Sequence, residues 1–354
     1  MKKNIWFKCQ LHIVVLSLFI LCFSILCWRG FVKNIDSMKD LADFEDSKWH
    51  AGIFRKASFS NLDSILTFCV TGEVKSNQVL LGSKNWLFYK SPTDGNSIGD
   101  YEGTNRYSEE KMNNILESVL SKQNEIESRG IKFAIIVAPN KENIYSEYMP
   151  DNYIHAEVSS TDILIEYLLE NGVNIVSPKQ EMLDNHIKYQ LYYSHDTHWN
   201  QLGAYIGVKS VLSLWDIELT SLSERTIFSK KLKENYHPSG EGDLAKMVGL
   251  RSFFDDELEY EIDGTVLMDW SAFKKKQDEV LHYTNDKAEI RATVLLVGDS
   301  FRTSMIPALR EVYEDVYVVY RSCYKLELLD EIKPDYLIAE YVERFSAGIG
   351  GIVP

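Results

Sequence analysis

Two short segments of the sequence carry side chains whose types and spacing suit acyl transfer. Residues 294–301 read VLLVGDSF, in which an apolar run ends at Gly298 and a serine follows two positions later. Residues 194–200 read SHDTHWN and contain two imidazoles and a carboxylate. A serine nucleophile needs a base to take its proton and an acid to orient that base. We therefore predict Ser300 as nucleophile, His198 as base and Asp196 as orienting acid.

The serine segment has the pattern of a strand, a tight turn and a helix. Such a turn places the Ser300 hydroxyl at the carboxyl edge of a sheet, where open α/β folds bind ligands. The start of the helix offers the backbone N–H groups of Ser300 and Phe301 to an oxyanion. Serine and aspartate also favour helix N-caps, so nucleophile and cap are equally good interpretations of Ser300 taken alone.

The histidine segment admits two kinds of chemistry. If it is extended, alternate side chains share a face, so Asp196 and His198 point one way and His195 the other. That arrangement forms a carboxylate–imidazole pair that holds the ring ready to deprotonate a serine. Zinc would prefer both histidines on one face together with a further ligand. We therefore predict no metal site. We also predict that a helix begins at Asn200.

These segments must be positioned by an α/β framework. Apolar runs typical of buried strands alternate with stretches of helical periodicity, a pattern that favours a largely parallel sheet with helices on both faces. The runs are residues 131–139, 173–176, 293–297, 316–320 and 336–339, and the helical stretches are 108–130, 161–171, 303–313 and 325–332. Residues 79–89 predict a hairpin. Residues 218–290 predict an irregular insertion, and 346–354 a C-terminal tail.

The N-terminus predicts a membrane tether. Residues 11–28 hold no formal charge apart from a titratable histidine, and lysines at 2, 3 and 8 precede them. About 20 apolar residues span a bilayer, and the positive-inside tendency places residues 1–10 in the cytoplasm. Residues 29–78 then predict a stalk, with the rest of the chain periplasmic or extracellular. A cleaved signal peptide is the weaker alternative, because bulky and basic residues follow the apolar run.

Composition excludes several classes of protein. The chain has 354 residues and a net charge of −14, which argues against nucleic-acid binding. It has no glycine loop of the kind that cradles phosphates, so we expect no nucleotide cofactor. Five cysteines make no disulfide framework, although a Cys69–Cys323 bridge is compatible with the sequence.

Several motifs of the sequence resemble those of a known family. The GDSF segment at 298–301 is similar to the serine block of SGNH (GDSL-type) hydrolases, and DTHWN at 196–200 resembles the Asp-x-His motif of the AlgJ/AlgX-like alginate O-acetyltransferases. GSKNWLFY at 82–89, the Pro-x-Lys stretch at 139–150 and Gly-Asp-Leu at 242–244 also agree with that family, in the same order. The resemblance covers residues 79–345. It implies an SGNH hydrolase-like, flavodoxin-type fold from the circularly permuted branch, in which Asp-x-His precedes the serine.

The resemblance also implies an activity, namely O-acetylation of an extracytoplasmic polysaccharide through an ester of Ser300. A multipass membrane O-acyltransferase would supply the acetyl group. An esterase or deacetylase with the same triad and a non-catalytic part of an export complex are the alternatives. Residues near the predicted sheet edge are candidate substrate contacts, although aromatic residues are more often packing residues. These candidates are Lys141, Tyr145, Trp199, Arg302 and Arg321.

Overall fold

The computed structural model describes residues 14–15, 17–25, 56–231, 242–254, 257–265 and 279–351, and the chain divides into two compact units, 1–71 and 72–354. In the first unit, residues 14–15 and 17–25 are helical, and helix α1 covers Lys56–Thr71 within the predicted stalk. Among the described residues, no helix combines the length and the apolar character needed to span a membrane. Residues 1–10, the ends of the predicted anchor 11–28 and most of the predicted stalk lie outside the described part, so the anchor stays a prediction.

Ten strands and nine further α-helices are described in the second unit. The strands are β1 Val79–Leu81, β2 Leu87–Tyr89, β3 Lys132–Ala138, β4 Ile175–Val176, β5 Ile227–Lys231, β6 Leu258–Ile262, β7 Leu281–Thr284, β8 Ile290–Gly298, β9 Tyr313–Tyr320 and β10 Tyr336–Val342. The helices are α2 Ser97–Tyr101, α3 Glu109–Ser128, α4 Lys141–Ile144, α5 Ser160–Glu170, α6 Lys179–Asn185, α7 Gln201–Ser213, α8 Asp243–Met247, α9 Ile306–Val312 and α10 Glu327–Ile332.

Six of these strands form the central sheet, in the order β4-β3-β10-β8-β9-β7. All neighbours pair in parallel except β7, which runs antiparallel to β9 at the edge. The interior strands are apolar because both of their faces are covered. Residues of β3 alternate between two core clusters, with Ala134 and Ile136 on one face and Phe133 and Ile135 on the other. The predicted, largely parallel sheet with helices on both faces is confirmed.

The strand order explains the unusual order of the motifs. The five parallel strands lie side by side as β9-β8-β10-β3-β4. If β8, β9, β10, β3 and β4 are numbered 1 to 5 in that order, this arrangement becomes 2-1-3-4-5, the flavodoxin-like order. The switch point of that order lies between β8 and β10, and Ser300 follows β8 directly. The fold therefore places the predicted nucleophile where doubly wound sheets bind ligands.

Several predicted elements differ from the structure. The hairpin β1–β2 and helix α3, which is capped by Ser108, are confirmed. The predicted insertion 218–290 is not irregular throughout, since it contains the antiparallel pair β5–β6, α8 and the edge strand β7. The predicted tail is also wrong in part, because Glu343–Gly351 forms a 3-10 helix in which Ile349 is fully buried. Cys69 and Cys323 are both free thiols.

Candidate active site

The serine turn shows which residue caps the helix, a role that the sequence left open for Ser300 beside that of nucleophile. Strand β8 ends at Gly298, and a 3-10 helix, Ser300–Met305, begins directly after Asp299. Asp299 is the N-cap, because its Oδ1 accepts the N–H of Phe301 at 2.9 Å and its Oδ2 accepts the N–H of Val342 at 3.2 Å. The hydroxyl of Ser300 is thereby left for another partner, and its Oγ lies 2.7 Å from Nε2 of His198.

The histidine segment is a turn and not an extended strand. An antiparallel bridge between Tyr192 and Trp199 closes it. The turn forms because Asp196 bonds locally, with its Oδ1 accepting the backbone N–H of His198 at 3.1 Å. The predicted helix does begin at Asn200, which caps α7. The premise of alternating faces was thus wrong, but the turn still brings Asp196 and His198 together.

The three predicted residues form one hydrogen-bonded chain. Nδ1 of His198 lies 2.6 Å from Oδ1 of Asp196. An ionised carboxylate only accepts, so the Nδ1 proton points at Asp196 and Nε2 is free to accept the proton of Ser300. This order is the one that general-base activation of a serine requires.

The electrostatic environment of the Asp196–His198 pair makes His198 a stronger base. Burial by itself would lower the pKa of His198, but the charge of Asp196 and the hydrogen bond to it outweigh burial and raise the pKa above its ordinary value. Burial would raise the pKa of Asp196, yet His198 and the backbone N–H bonds hold it below its usual range. Asp196 therefore stays ionised while His198 exchanges protons.

A second carboxylate lies beside this pair. The N–H of Asp243 donates to Oδ2 of Asp196 at 2.9 Å, and Oδ2 of Asp243 lies 3.8 Å from Nδ1 of His198. Both oxygens of Asp243 hold Thr197, through its N–H at 2.8 Å and its hydroxyl at 2.6 Å. Burial and the charge of Asp196 raise the pKa of Asp243. The Gly-Asp-Leu motif thus fixes the turn that carries the base.

Asp196, His198 and Asp243 are also the residues that could hold a metal ion, since one ligand atom of each lies within 4.8 Å of the others. Their oxygens have other partners, however. Each carboxylate oxygen of Asp196 and Asp243 already accepts an N–H or O–H bond. An ion would have to displace those donors and the Nδ1 proton. The donor set therefore fits an orienting network better than a metal centre.

Two buried side chains, Lys141 and Glu257, bind the backbone of the turn that carries His198. The ammonium of Lys141 donates to the carbonyls of Tyr193, Ser194 and Asp196 at 3.2, 3.1 and 2.7 Å. Glu257 accepts the N–H groups of Ser194 and His195 at 2.8 and 2.9 Å. Sequence reasoning missed Glu257, because it lies in the segment predicted to be irregular.

A buried acid supports the serine turn. The side chain of Glu340 on β10 is fully buried, and its Oε2 accepts the N–H of Asp299 at 2.9 Å. Burial, with the charge of Asp299 as a further cause, raises the pKa of Glu340 well above its ordinary value. A Cβ on Gly298 would lie 2.4 Å from that Oε2, which explains the glycine at this position. A charged residue inside the apolar run YLIAEYV was the signal that sequence reasoning passed over.

The predicted oxyanion donors are not equivalent. The N–H of Phe301 donates to Asp299 and is therefore occupied. The N–H of Ser300 has no hydrogen-bond partner among the described residues. Ser300 thus keeps a donor for an oxyanion, and the prediction for Phe301 is corrected.

Most of the predicted substrate contacts are packing residues. The sheet-edge loops fold over these long side chains, which a linear pattern does not reveal. Lys141 is 3% exposed, Tyr145 2%, Trp199 0% and Arg302 2%. Trp199 donates its Nε1–H to the carbonyl of Phe301, and Tyr145 accepts the N–H of Leu191. Arg321 alone of the predicted five is partly exposed, and it lines a cavity.

Comparison with known proteins adds a family and a fold. The family model described as "SGNH hydrolase-like domain, acetyltransferase AlgX" matches residues 79–313. A DHHW family protein from Eubacterium siraeum superposes with a TM-score of 0.55 and 15% identity, covering 79% of this chain and 96% of that one. Bacillus cereus PatB1 with a sulfonyl adduct gives 0.54 and 13%, covering 78% and 100%. A second PatB1 structure gives 0.50 and 15%, covering 77% and 98%. No curated protein matches the chain.

Proposed function

This chain belongs to the AlgX-type family of SGNH hydrolase-like acetyltransferase domains, and from that premise we propose that it transfers O-acetyl groups to a polysaccharide through an ester of Ser300. The observation that carries the proposal is the continuous chain Asp196–His198–Ser300, with contacts of 2.6 and 2.7 Å. It supplies a base in the correct tautomer next to a hydroxyl nucleophile.

The reaction takes place in two half-reactions. Nε2 of His198 takes the proton of Ser300 while Oγ attacks the acetyl carbonyl of the donor. The same proton then passes to the leaving oxygen of the donor, and acetyl-Ser300 remains. In the second half, His198 takes the proton of a sugar hydroxyl whose oxygen attacks the ester. Ser300 leaves as the alkoxide and recovers that proton, while its N–H holds the oxyanion in both steps.

The donor side of the proposal rests on the sequence. Lysines before the apolar segment 11–28 support an anchored, extracytoplasmic domain. A multipass membrane O-acyltransferase that presents acetyl groups across the membrane would then supply the donor, and an extracytoplasmic polysaccharide would be the acceptor. No cofactor enters this scheme.

The test uses the purified full-length protein with p-nitrophenyl acetate and a panel of oligosaccharides. Mass spectrometry follows free acetate and acetylated sugar in the wild type, Ser300→Ala and Ser304→Ala. Ser304 is the matched control, because it is buried in the same 3-10 helix and its hydroxyl has no partner among the described residues. We expect Ser300→Ala to reduce acetyl transfer by about 10³-fold or more and Ser304→Ala to retain it.

Each outcome assigns a function. Acetylated sugar that depends on Ser300 supports the transferase. Acetate release without acetylated sugar would make the protein an esterase or deacetylase, and turnover that is equal in wild type and Ser300→Ala would leave a non-catalytic role in polysaccharide export.

A further inference from the structure

A cavity opens at the same edge of the sheet as Ser300. It has a volume of about 350 Å³, within the range of small-ligand sites. Its walls include the side chains of Arg321, Tyr341, Arg344 and Phe345. The cavity therefore combines two guanidinium groups with aromatic surface.

The topology places this cavity at the switch point of the sheet. Arg321 directly follows β9, whose last residue pairs with Gly298 at the end of β8. Arg344 follows β10, the strand on the other side of β8. The guanidinium carbon of Arg344 lies 5.6 Å from the centre of the Phe301 ring, and that ring lies 4.8 Å from the imidazole of His198. The Phe301 ring thus lies between the candidate base and Arg344, a residue that lines the cavity.

Neither arginine forms a salt bridge with a carboxylate of the described residues. No carboxylate in the described ranges lies within 4.0 Å of either guanidinium. Arg321 stacks on Tyr341 at 4.4 Å, and Arg344 lies over Phe345 at 5.1 Å. Within the same ranges, Nη1 of Arg321 and Nε of Arg344 are buried without a hydrogen-bond partner. A buried nitrogen without a hydrogen-bond partner is costly, and two cations without salt bridges stand out in a chain of net charge −14.

We propose that this cavity is an anion subsite, in which Arg321 and Arg344 bind a carboxylate or phosphate of the acceptor glycan close to the hydroxyl that receives the acetyl group. The planar guanidinium forks match both anions, and the aromatic walls suit the face of a sugar ring. The inference rests on the proposed function for its role in transfer. Binding of the anion itself is independent of catalysis.

The binding test uses full-length Ser300→Ala protein, so that no turnover occurs. Calorimetry compares trigalacturonate with its methyl-esterified, neutral counterpart, and glucose 1-phosphate with glucose. The variants are Arg321→Gln and Arg344→Gln, and the control is Arg291→Gln. Arg291 is exposed at the start of β8, at the opposite edge of the sheet, and pairs with Glu314 at 3.3 Å.

We expect an anionic ligand to bind at least about tenfold more tightly than its neutral partner, and each cavity variant to lose about tenfold, or ~1.4 kcal/mol. Arg291→Gln should bind like the parent, and affinity should fall as salt rises. The galacturonate and phosphate arms identify which anion the site accepts. Arg321→Gln is the deciding variant, because Arg344 also packs against Phe301.

Failure of this inference is distinguishable from failure of the proposed function. If acetyl transfer depends on Ser300 but anionic and neutral ligands bind equally, or if the cavity variants match Arg291→Gln, the subsite is overturned. If anions bind through Arg321 but no Ser300-dependent transfer occurs, the anion subsite is confirmed and its proposed role in acetylation is overturned.

Discussion

In the proposed mechanism His198 is the general base, and two carboxylates act on it unequally. Asp196 touches Nδ1 at 2.6 Å, whereas Asp243 lies 3.8 Å away and binds Thr197. Both charges raise the pKa of His198. Because only the neutral imidazole accepts the serine proton, activity should fall as the pH drops through that raised pKa.

This asymmetry predicts different outcomes for two isosteric changes. Asp196→Asn and Asp243→Asn each remove a negative charge, so the acidic limb of the kcat/KM profile should move to lower pH in both variants. Asp196→Asn should also reduce kcat by about 10³–10⁴-fold, because the amide does not hold the required tautomer. Asp243→Asn should stay within about tenfold of the wild type, since Asp196 still accepts the Nδ1 proton. Rate measurements between pH 5 and 9 give both quantities.

Two results would contradict this account. Equal losses of kcat in the two variants would make Asp243 a direct partner of His198. Loss of activity in EDTA, with recovery on adding zinc, would turn the three residues into metal ligands.

Glu340 predicts a pH-dependent stability. Its folded-state pKa lies above the ordinary value, so the folded protein holds a proton that the unfolded chain releases. The contribution of this group is therefore largest below about pH 4.5 and declines as the pH rises. Glu340→Gln mimics the protonated acid and should raise the Tm at pH 7.5 but not at pH 4. Glu340→Ala leaves the N–H of Asp299 unpaired and should cost about 1–3 kcal/mol.

Thermal unfolding at both pH values checks this prediction, with the exposed Glu331→Gln as the control that should change neither Tm. A Tm for Glu340→Gln as low as that of Glu340→Ala would show an ionised, paired carboxylate instead.

The sequence predicted that Asp196, His198 and Ser300 would meet because parallel strands end at one edge, so motifs that follow strands converge there. It did not predict the burial of the candidate substrate contacts, because burial depends on which loop folds over a side chain. Trp199 and Arg302 look like binding residues in a linear pattern and are enclosed in the structure. Glu257 binds the backbone N–H groups of Ser194 and His195, which leave no spacing to recognise, whereas Asp243 lies in the Gly-Asp-Leu motif that the resemblance singled out.

At the scale of elements, the turn between Tyr192 and Trp199 carries the base, and Lys141 on α4 anchors it through three carbonyls. Lys141→Met keeps an unbranched side chain that is one atom shorter and removes all three donors. We expect a loss of about 1–3 kcal/mol in stability and of about 10²-fold in kcat, with KM little changed, because a displaced imidazole misaligns the reaction. Thermal unfolding and steady-state kinetics measure these effects.

The matched control is Lys209→Met, which breaks a partly exposed ion pair with Glu181 on α6 and should cost at most about 1 kcal/mol. Burial lowers the pKa of Lys141 to about 8, so the wild type should also lose activity above that pH as one donor disappears. A Lys141→Met enzyme with unchanged kcat would mean that the turn holds its shape without the ammonium.

The elements that the sequence predicted well are those with a strong period or a complete apolar run, such as α3 and β3. Edge strand β7 was missed because Leu281 is its one buried residue and the rest of its sequence is polar or aromatic. The histidine turn was misread as extended because the local bond from Asp196 overrides alternation.

At the scale of the molecule, the strand at which the chain enters the sheet accounts for the motif order implied by the resemblance. The segment with Asp196 and His198 follows β4, the fifth strand of the flavodoxin-like count, and Ser300 follows β8, the first. Starting the chain at the fourth strand puts Asp-x-His before the serine without moving either in space. The site depends on the spatial order of the strands in the sheet and not on which strand comes first in the chain.

Both core clusters lie entirely after residue 72, which predicts that residues 72–354 fold without the preceding chain. This fragment should unfold cooperatively and release acetate within about twofold of the full-length rate. A fragment beginning at residue 91 should not, because it lacks the fully buried Leu87 and Phe88 and the bond from Leu87 N–H to the carbonyl of Ser194. Near-UV circular dichroism and thermal melts compare the two fragments. If residues 72–354 also fail to fold, the earlier segment contributes packing to the second unit, and its role extends beyond tethering.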